Sequence, residues 1–188
     1  YGYDFINNDG DPFDTNGQCG HSTHVAGTIA ATGNNEIGVA GVSWHTKIAG
    51  LQFLEYNPSY GACTGDGANA VDAILYAAMM GMDLTNNSWG GGPASQAIQD
   101  AIEYSNMLFV AAAGNSSTNM DSNPSYPAAY PQDNILSVAA IDVNDSMAYF
   151  SNYGQTTVDV GAPGVSVYSA VPGNNYQNYD GTSMASPH

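Results

Sequence analysis

The chain has 188 residues, of which 43% are apolar; a single Lys or Arg (Lys47) faces 17 Asp and Glu, for a formal net charge of −16. Enough apolar residue is present to build a core, unlike the composition of disordered chains, and the length suits one domain. With one Lys as the only cation apart from histidines, nucleic-acid binding through phosphates and attachment to an anionic membrane are both excluded.

In chain order, His21 to Ala31 predicts a helix of small residues able to pack closely. Lys47 to Leu54 predicts a buried strand, and Ala68 to Met80 a helix with Val71, Ile74, Leu75 and Ala78 on one face. Leu84 to Trp89 and Leu108 to Ala113 predict two strands, separated by a helix from about Ala94 to Ser105. Ile135 to Ile141 predicts another strand; the loop Gly161-Ala162-Pro163-Gly164 follows, then a strand from Val165 to Val171. The longest apolar run, near Ala73 to Met80, is far short of the roughly 18 residues a membrane span needs. Continuously apolar strands alternating with helices predict an α/β fold, its parallel sheet flanked by helices on both faces. In such sheets the active site lies outside the carboxyl ends of the strands.

Three segments fall at such ends. They are Gly20-His21-Ser22-Thr23-His24-Val25-Ala26-Gly27-Thr28, Ala111-Ala112-Ala113-Gly114-Asn115, and Gly181-Thr182-Ser183-Met184-Ala185-Ser186-Pro187-His188. Each alone has an ordinary explanation: a structural histidine, a turn asparagine, an N-cap serine. Together they are what acyl transfer requires. A serine hydroxyl needs a base, most often His, and the tetrahedral intermediate needs donors aimed at its oxyanion.

HSTHVAGT, AAAGN and GTSMASPH, in that order, resemble the His, oxyanion and Ser boxes of the subtilisin-like serine proteases, and the resemblance runs over essentially the whole chain. It implies a subtilisin-like three-layer fold, His21 as general base, Ser183 as nucleophile and Asn115 as oxyanion amide. The Ser183 N–H and the Thr182 hydroxyl would assist Asn115. Ser88, Trp89 and Gly90 would pair with an extended polypeptide substrate, whose backbone binding tolerates many sequences. Ala112, Ala113 and Gly114 would line the primary specificity pocket, with Ser116 and Ser125 at its rim, favouring a neutral or apolar side chain. Ser22 departs from the Gly that usually follows the histidine. His21 and His24, three apart and without an adjacent Glu, do not fit a zinc-protease pair, and His24 reads as a hydrogen-bonded core residue.

The family's triad runs Asp, His, Ser along the chain, and no aspartate before His21 has the required context. Asp4, Asp9, Asp11 and Asp14 precede it, but none is expected to follow a buried strand. The expectation is therefore a partial peptidase domain over 1–188, incomplete at both ends: it lacks the strand bearing the catalytic Asp and the C-terminal helices, and is inactive as it stands. The alternative is a catalytically inactive relative serving in binding or structure.

The resemblance further implies a calcium loop using the carbonyls of Gly33, Ile37 and Val39 with the Asn35 side chain, against the alternative of an ordinary Asn-Gly loop. A weaker cation site would involve Ala128, Tyr130 and Asp159. It also implies a cis bond at Tyr126-Pro127, extracellular secretion and a monomer. Cys19 and Cys63 would both border the cleft, so a disulfide and two separate thiols are both open.

Overall fold

The computed structural model describes residues 2–13 and 19–188. The elements are β1 (Gly2–Asp4), α1 (His21–Ala30), β2 (Gly50–Gln52), β3 (Leu54–Asn57), β4 (Ala62–Gly65), α2 (Gly67–Met79) and β5 (Leu84–Asn87). They continue with α3 (Gln96–Ser105), β6 (Leu108–Ala112), β7 (Ile135–Ile141), β8 (Val160–Pro163), β9 (Val167–Val171), β10 (Asn175–Tyr179) and α4 (Thr182–Ala185). Strands β5-β6-β7-β8 form a parallel sheet in that order; β1 and β2 make a separate parallel pair, and β3-β4 and β9-β10 are antiparallel hairpins.

Strand β6 is apolar throughout because both its faces are covered. Phe109 and Ala111, with Ala113 just beyond the strand, pack against Ile74 of α2 and Ile98, Ala101 and Ile102 of α3. Val110 points the other way, into a cluster with Val138, Ala140, Ala148 and Ala185 of α4. This is the three-layer α/β arrangement that the sequence predicts. Fully burying a side chain of the size of Ile102 or Phe109 stabilises by about 1.5–3 kcal/mol. Local capping sets the helix ends: Asp66 accepts from the Ala68 N–H at 2.8 Å to start α2, and left-handed Asn106 (φ 50°) stops α3.

Three expectations are corrected. The single strand Lys47 to Leu54 is two short ones: Gly50–Gln52 pairs with β1, and Leu54–Asn57 turns into the β3-β4 hairpin. Phe53 marks the break, its ring packed edge-on against Trp89 at 5.0 Å. Gly161-Ala162-Pro163 is not loop but part of β8, where proline is tolerated because the strand lies at the sheet edge. Val167–Val171 does not extend the parallel sheet; it pairs with the polar β10, which lacks an alternating pattern.

Cys19 and Cys63 form a disulfide, Cα to Cα 6.0 Å, tying the segment before α1 to β4. The Tyr126-Pro127 bond is cis. Among the described residues no helix is long and apolar enough to cross a membrane.

Candidate active site

Ser183 is the second residue of α4, so its N–H has no acceptor within the helix. Its hydroxyl donates to the Ser88 carbonyl at 3.3 Å, just beyond the end of β5. Asn115 lies beyond the end of β6 and presents its side chain to the same turn. Its Oδ1 accepts two bonds from Thr182, from the N–H at 2.8 Å and from the hydroxyl at 2.9 Å. The Thr182 hydroxyl in turn accepts from the Gly114 N–H at 3.0 Å. With the carboxamide oxygen held by donors, the amide assignment is fixed and Nδ2 is left with two protons to offer. Thr182 therefore orients the Asn115 amide, which differs from the direct oxyanion contact expected of its hydroxyl.

The wall behind Asn115 is braced by Asn152, a buried residue with no motif to announce it. Its Oδ1 accepts from the N–H groups of Ser116 (3.0 Å) and Thr118 (3.1 Å), and its Nδ2 donates to the Ala113 carbonyl at 2.8 Å. Gly114 must be glycine here. Its φ is 108°, and a Cβ would meet Asn152 Nδ2 at 2.5 Å and Ser125 Oγ at 3.4 Å. Ala112 and Ala113 are buried, and the Ala113 N–H is used by the Val138 carbonyl at 3.0 Å.

His21 opens α1 and its side chain is exposed, while His24 is wholly buried. Although His21 keeps a solvent-facing side, partial loss of its hydration against the surrounding protein, and then the nearby His24, lower the imidazole pKa from its ordinary value. His24 anchors the helix. Its Nε2 meets the carbonyls of Val167 (3.0 Å) and Gln177 (3.1 Å), so that nitrogen carries the proton, and Tyr179 stacks on the ring at 4.3 Å. The Ser169 hydroxyl donates back to the His24 carbonyl at 2.8 Å. Helix α1 is thereby fixed to the β9-β10 hairpin, which leads directly into Ser183, and α1 touches α4. No hydrogen bond joins His21 and Ser183 among the described residues, the Ser183 hydroxyl being turned to Ser88.

The segment Ser88-Trp89-Gly90 runs off the end of β5. Trp89 is held between Phe53 and Phe109, with its Nε1 donating to Asn87 Oδ1 at 3.1 Å. Beyond it, the Gly91 N–H donates to the Tyr126 carbonyl at 3.1 Å, closing one end of the edge.

Each described aspartate before His21 accepts hydrogen bonds from its own loop. Asp4 closes the partly buried strand β1, and its carboxylate accepts from Ile6 N (2.7 Å), Asn7 N (3.1 Å) and Asn7 Nδ2 (2.8 Å). Burial pushes the Asp4 carboxyl up, yet these donors prevail and hold it below its ordinary value. Asp9 and Asp11 cap the N–H groups of Asp11 and Phe13. Asp14 lies outside the described residues.

In the Gly33–Val39 loop, Asn35 Oδ1 accepts from the Ile37 N–H at 3.1 Å. Asn34, Glu36 and Gly38 are all left-handed, and Gly38 packs against Tyr176 of β10. Asp159 Oδ2 accepts from the Ser137 N–H at 2.7 Å, and Ala128 and Tyr130 belong to the core.

The model of the Subtilase family matches residues 2–188. The chain belongs to the subtilase family. It is 44% identical over its whole length to a thermophilic serine proteinase of Bacillus sp. (strain AK1), covering 44% of that protein. It is 38% identical to thermitase of Thermoactinomyces vulgaris, over 100% of this chain and 63% of that one. A solved cold adapted subtilisin-like serine proteinase superposes on the whole chain with a TM-score of 0.81 at 32% identity, over 64% of that structure. The chain thus spans 44–64% of these relatives. Within this subtilase chain, Asn152 is the supporting residue that no motif discloses, whereas Thr182 lies inside the motif that holds Ser183.

Proposed function

We propose that the complete protein is a secreted, monomeric serine endopeptidase. The Ser183 hydroxyl attacks the scissile carbonyl while His21 takes its proton and returns it to the leaving amine. Asn115 Nδ2 and the Ser183 N–H stabilise the oxyanion. An extended polypeptide lies along Ser88, Trp89 and Gly90, with a neutral or apolar side chain beside Ala112, Ala113 and Gly114. The observation that carries this reading is the Asn115 carboxamide, held by its oxygen on Thr182, next to Ser183, with its NH2 group uncommitted among the described residues.

The carboxylate that orients His21 comes, in this proposal, from outside these 188 residues, because those described before His21 are committed to their own loops. Without it the imidazole lacks an orienting acceptor, a loss worth ~10⁴ in kcat in a related triad, and the 188 residues alone are inactive.

Calcium, which the family resemblance implies, finds suitable donors. The carbonyls of Gly33, Ile37 and Val39 and the Asn35 carboxamide are hard oxygens of the kind calcium takes. Asn35 Oδ1 holds the Ile37 N–H with one lone pair and keeps a second. Bound there, the ion would rigidify the loop behind α1.

The bond from Ser183 to the Ser88 carbonyl, rather than to His21, favours a second reading: a catalytically inactive domain used in binding or structure. A fluorophosphonate probe on the complete, folded protein separates them. Labelling of Ser183 that is abolished by Ser183→Ala supports the peptidase; absence of labelling sinks it.

A further inference from the structure

Ser88 touches both ends of the nucleophilic residue. Its hydroxyl donates to the Ser183 carbonyl at 2.8 Å, and its own carbonyl accepts the Ser183 hydroxyl at 3.3 Å. The same hydroxyl oxygen accepts from Asn86 Nδ2 at 3.0 Å and lies 2.8 Å from Ser186 Oγ. A serine hydroxyl has one proton and two lone pairs. Its proton goes to Ser183, so Asn86 and Ser186 fill the lone pairs and Ser186 must be the donor of its pair. The junction is saturated, and Ser186 is buried with it.

From this arrangement we infer that the Ser88 hydroxyl, completed by Ser186, is a positioning group for the nucleophile, distinct from the backbone edge that Ser88 offers to substrate. The first turn of α4 is strung between two strand ends: the Thr182 N–H on Asn115 after β6, and the Ser183 carbonyl on Ser88 after β5. Fixing those two peptide groups sets the direction of the Ser183 N–H and Cβ against the Asn115 amide. Oxyanion geometry is intolerant: a displacement of about 1 Å costs on the order of 10² in rate.

The inference rests on the peptidase reading, and the complete protein tests both. Native protein, Ser186→Ala, Ser186→Thr, Ser88→Ala and the Ser88→Ala/Ser186→Ala pair are compared for fluorophosphonate labelling rate and for kcat and KM on a peptide anilide. Circular dichroism checks that each is folded. Ser186→Ala lowers kcat and labelling about tenfold, as one lost hydrogen bond allows, with KM within about twofold. Ser186→Thr restores most of the rate. The double variant is no slower than Ser88→Ala, because both changes empty one junction. Native-like labelling of the variants, a loss confined to KM, or multiplying effects in the pair would overturn the positioning role. A native protein that never labels sinks the peptidase reading and this inference with it.

Discussion

Thr182 grips Asn115 by one atom, its N–H at 2.8 Å and its hydroxyl at 2.9 Å both converging on Oδ1. The asparagine is thereby prevented from flipping, and its NH2 group is the part left to act. In the complete protein Asn115→Ala is expected to lower kcat by ~10²–10³, as loss of one oxyanion donor does elsewhere. Thr182→Val keeps Asn115 but unfastens it and strands the Gly114 N–H; kcat falls at least about tenfold while KM holds. Thr182→Ser retains the hydroxyl and most of the rate. Steady-state kinetics on a peptide anilide decides, and a Thr182→Val enzyme at native kcat would refute the orienting role.

Asp121 organises the loop that follows Asn152. Its Oδ1 accepts from the hydroxyls of Thr156 (2.8 Å) and Thr157 (2.9 Å) and from both N–H groups at 3.1 Å, while Oδ2 takes the Gln155 N–H at 2.7 Å. The Thr156 hydroxyl first, then the Gln155 and Thr156 N–H groups, hold the carboxyl far below the ordinary aspartate value of 3.8. A depressed folded pKa means stability that is fully present above 3.8 and is lost as pH falls toward the folded value. Asp121→Asn should lower Tm at pH 7, with the gap from native narrowing below pH 3.8. Equal melting temperatures at pH 7 would dismiss the clamp.

How far the sequence could be read follows from what each residue depends on. His21, Asn115 and Ser183 stood out as candidates because acyl transfer requires such side-chain types and because they lie in the motifs that carry the family resemblance; the structure joins Asn115 to the residue before Ser183. The central strands were legible because Leu108–Ala112 and Ile135–Ile141 are largely covered on both faces and so are apolar but for Ser137. Asn152 was not, since its three bonds reach 34 to 39 residues away and no local pattern marks them. Nor was β10, where Asn175 to Tyr179 pairs through its backbone with β9 and carries no period-two signal. At β8 the Gly-Ala-Pro composition argued for a loop, but an edge position removed the usual objection to proline.

The disulfide between Cys19 and Cys63 closes a separation of 44 residues and ends two residues before His21. Restricting a loop of that size in the unfolded chain stabilises by about 4 kcal/mol in the chain-entropy account. Cys19→Ser/Cys63→Ser, or the native chain under reductant, should therefore unfold at a lower denaturant midpoint. A midpoint shift worth less than about 1 kcal/mol would show that the bond adds little to the fold.

His21 provides the sharpest test of where the orienting carboxylate comes from. In these 188 residues lost hydration, then the nearness of His24, push its pKa below 6.5. Because the folded value is the lower one, the neutral imidazole is favoured. Folding stability is complete above pH 6.5 and declines as pH falls from there toward the folded pKa. A carboxylate beside the ring would act in the opposite sense and raise that pKa. NMR titration of the His21 Cε1 proton should give a midpoint below 6.5 in the 188-residue chain and a higher one in the complete protein. If the two midpoints coincide, no carboxylate from elsewhere reaches His21, and the catalytically inactive reading gains.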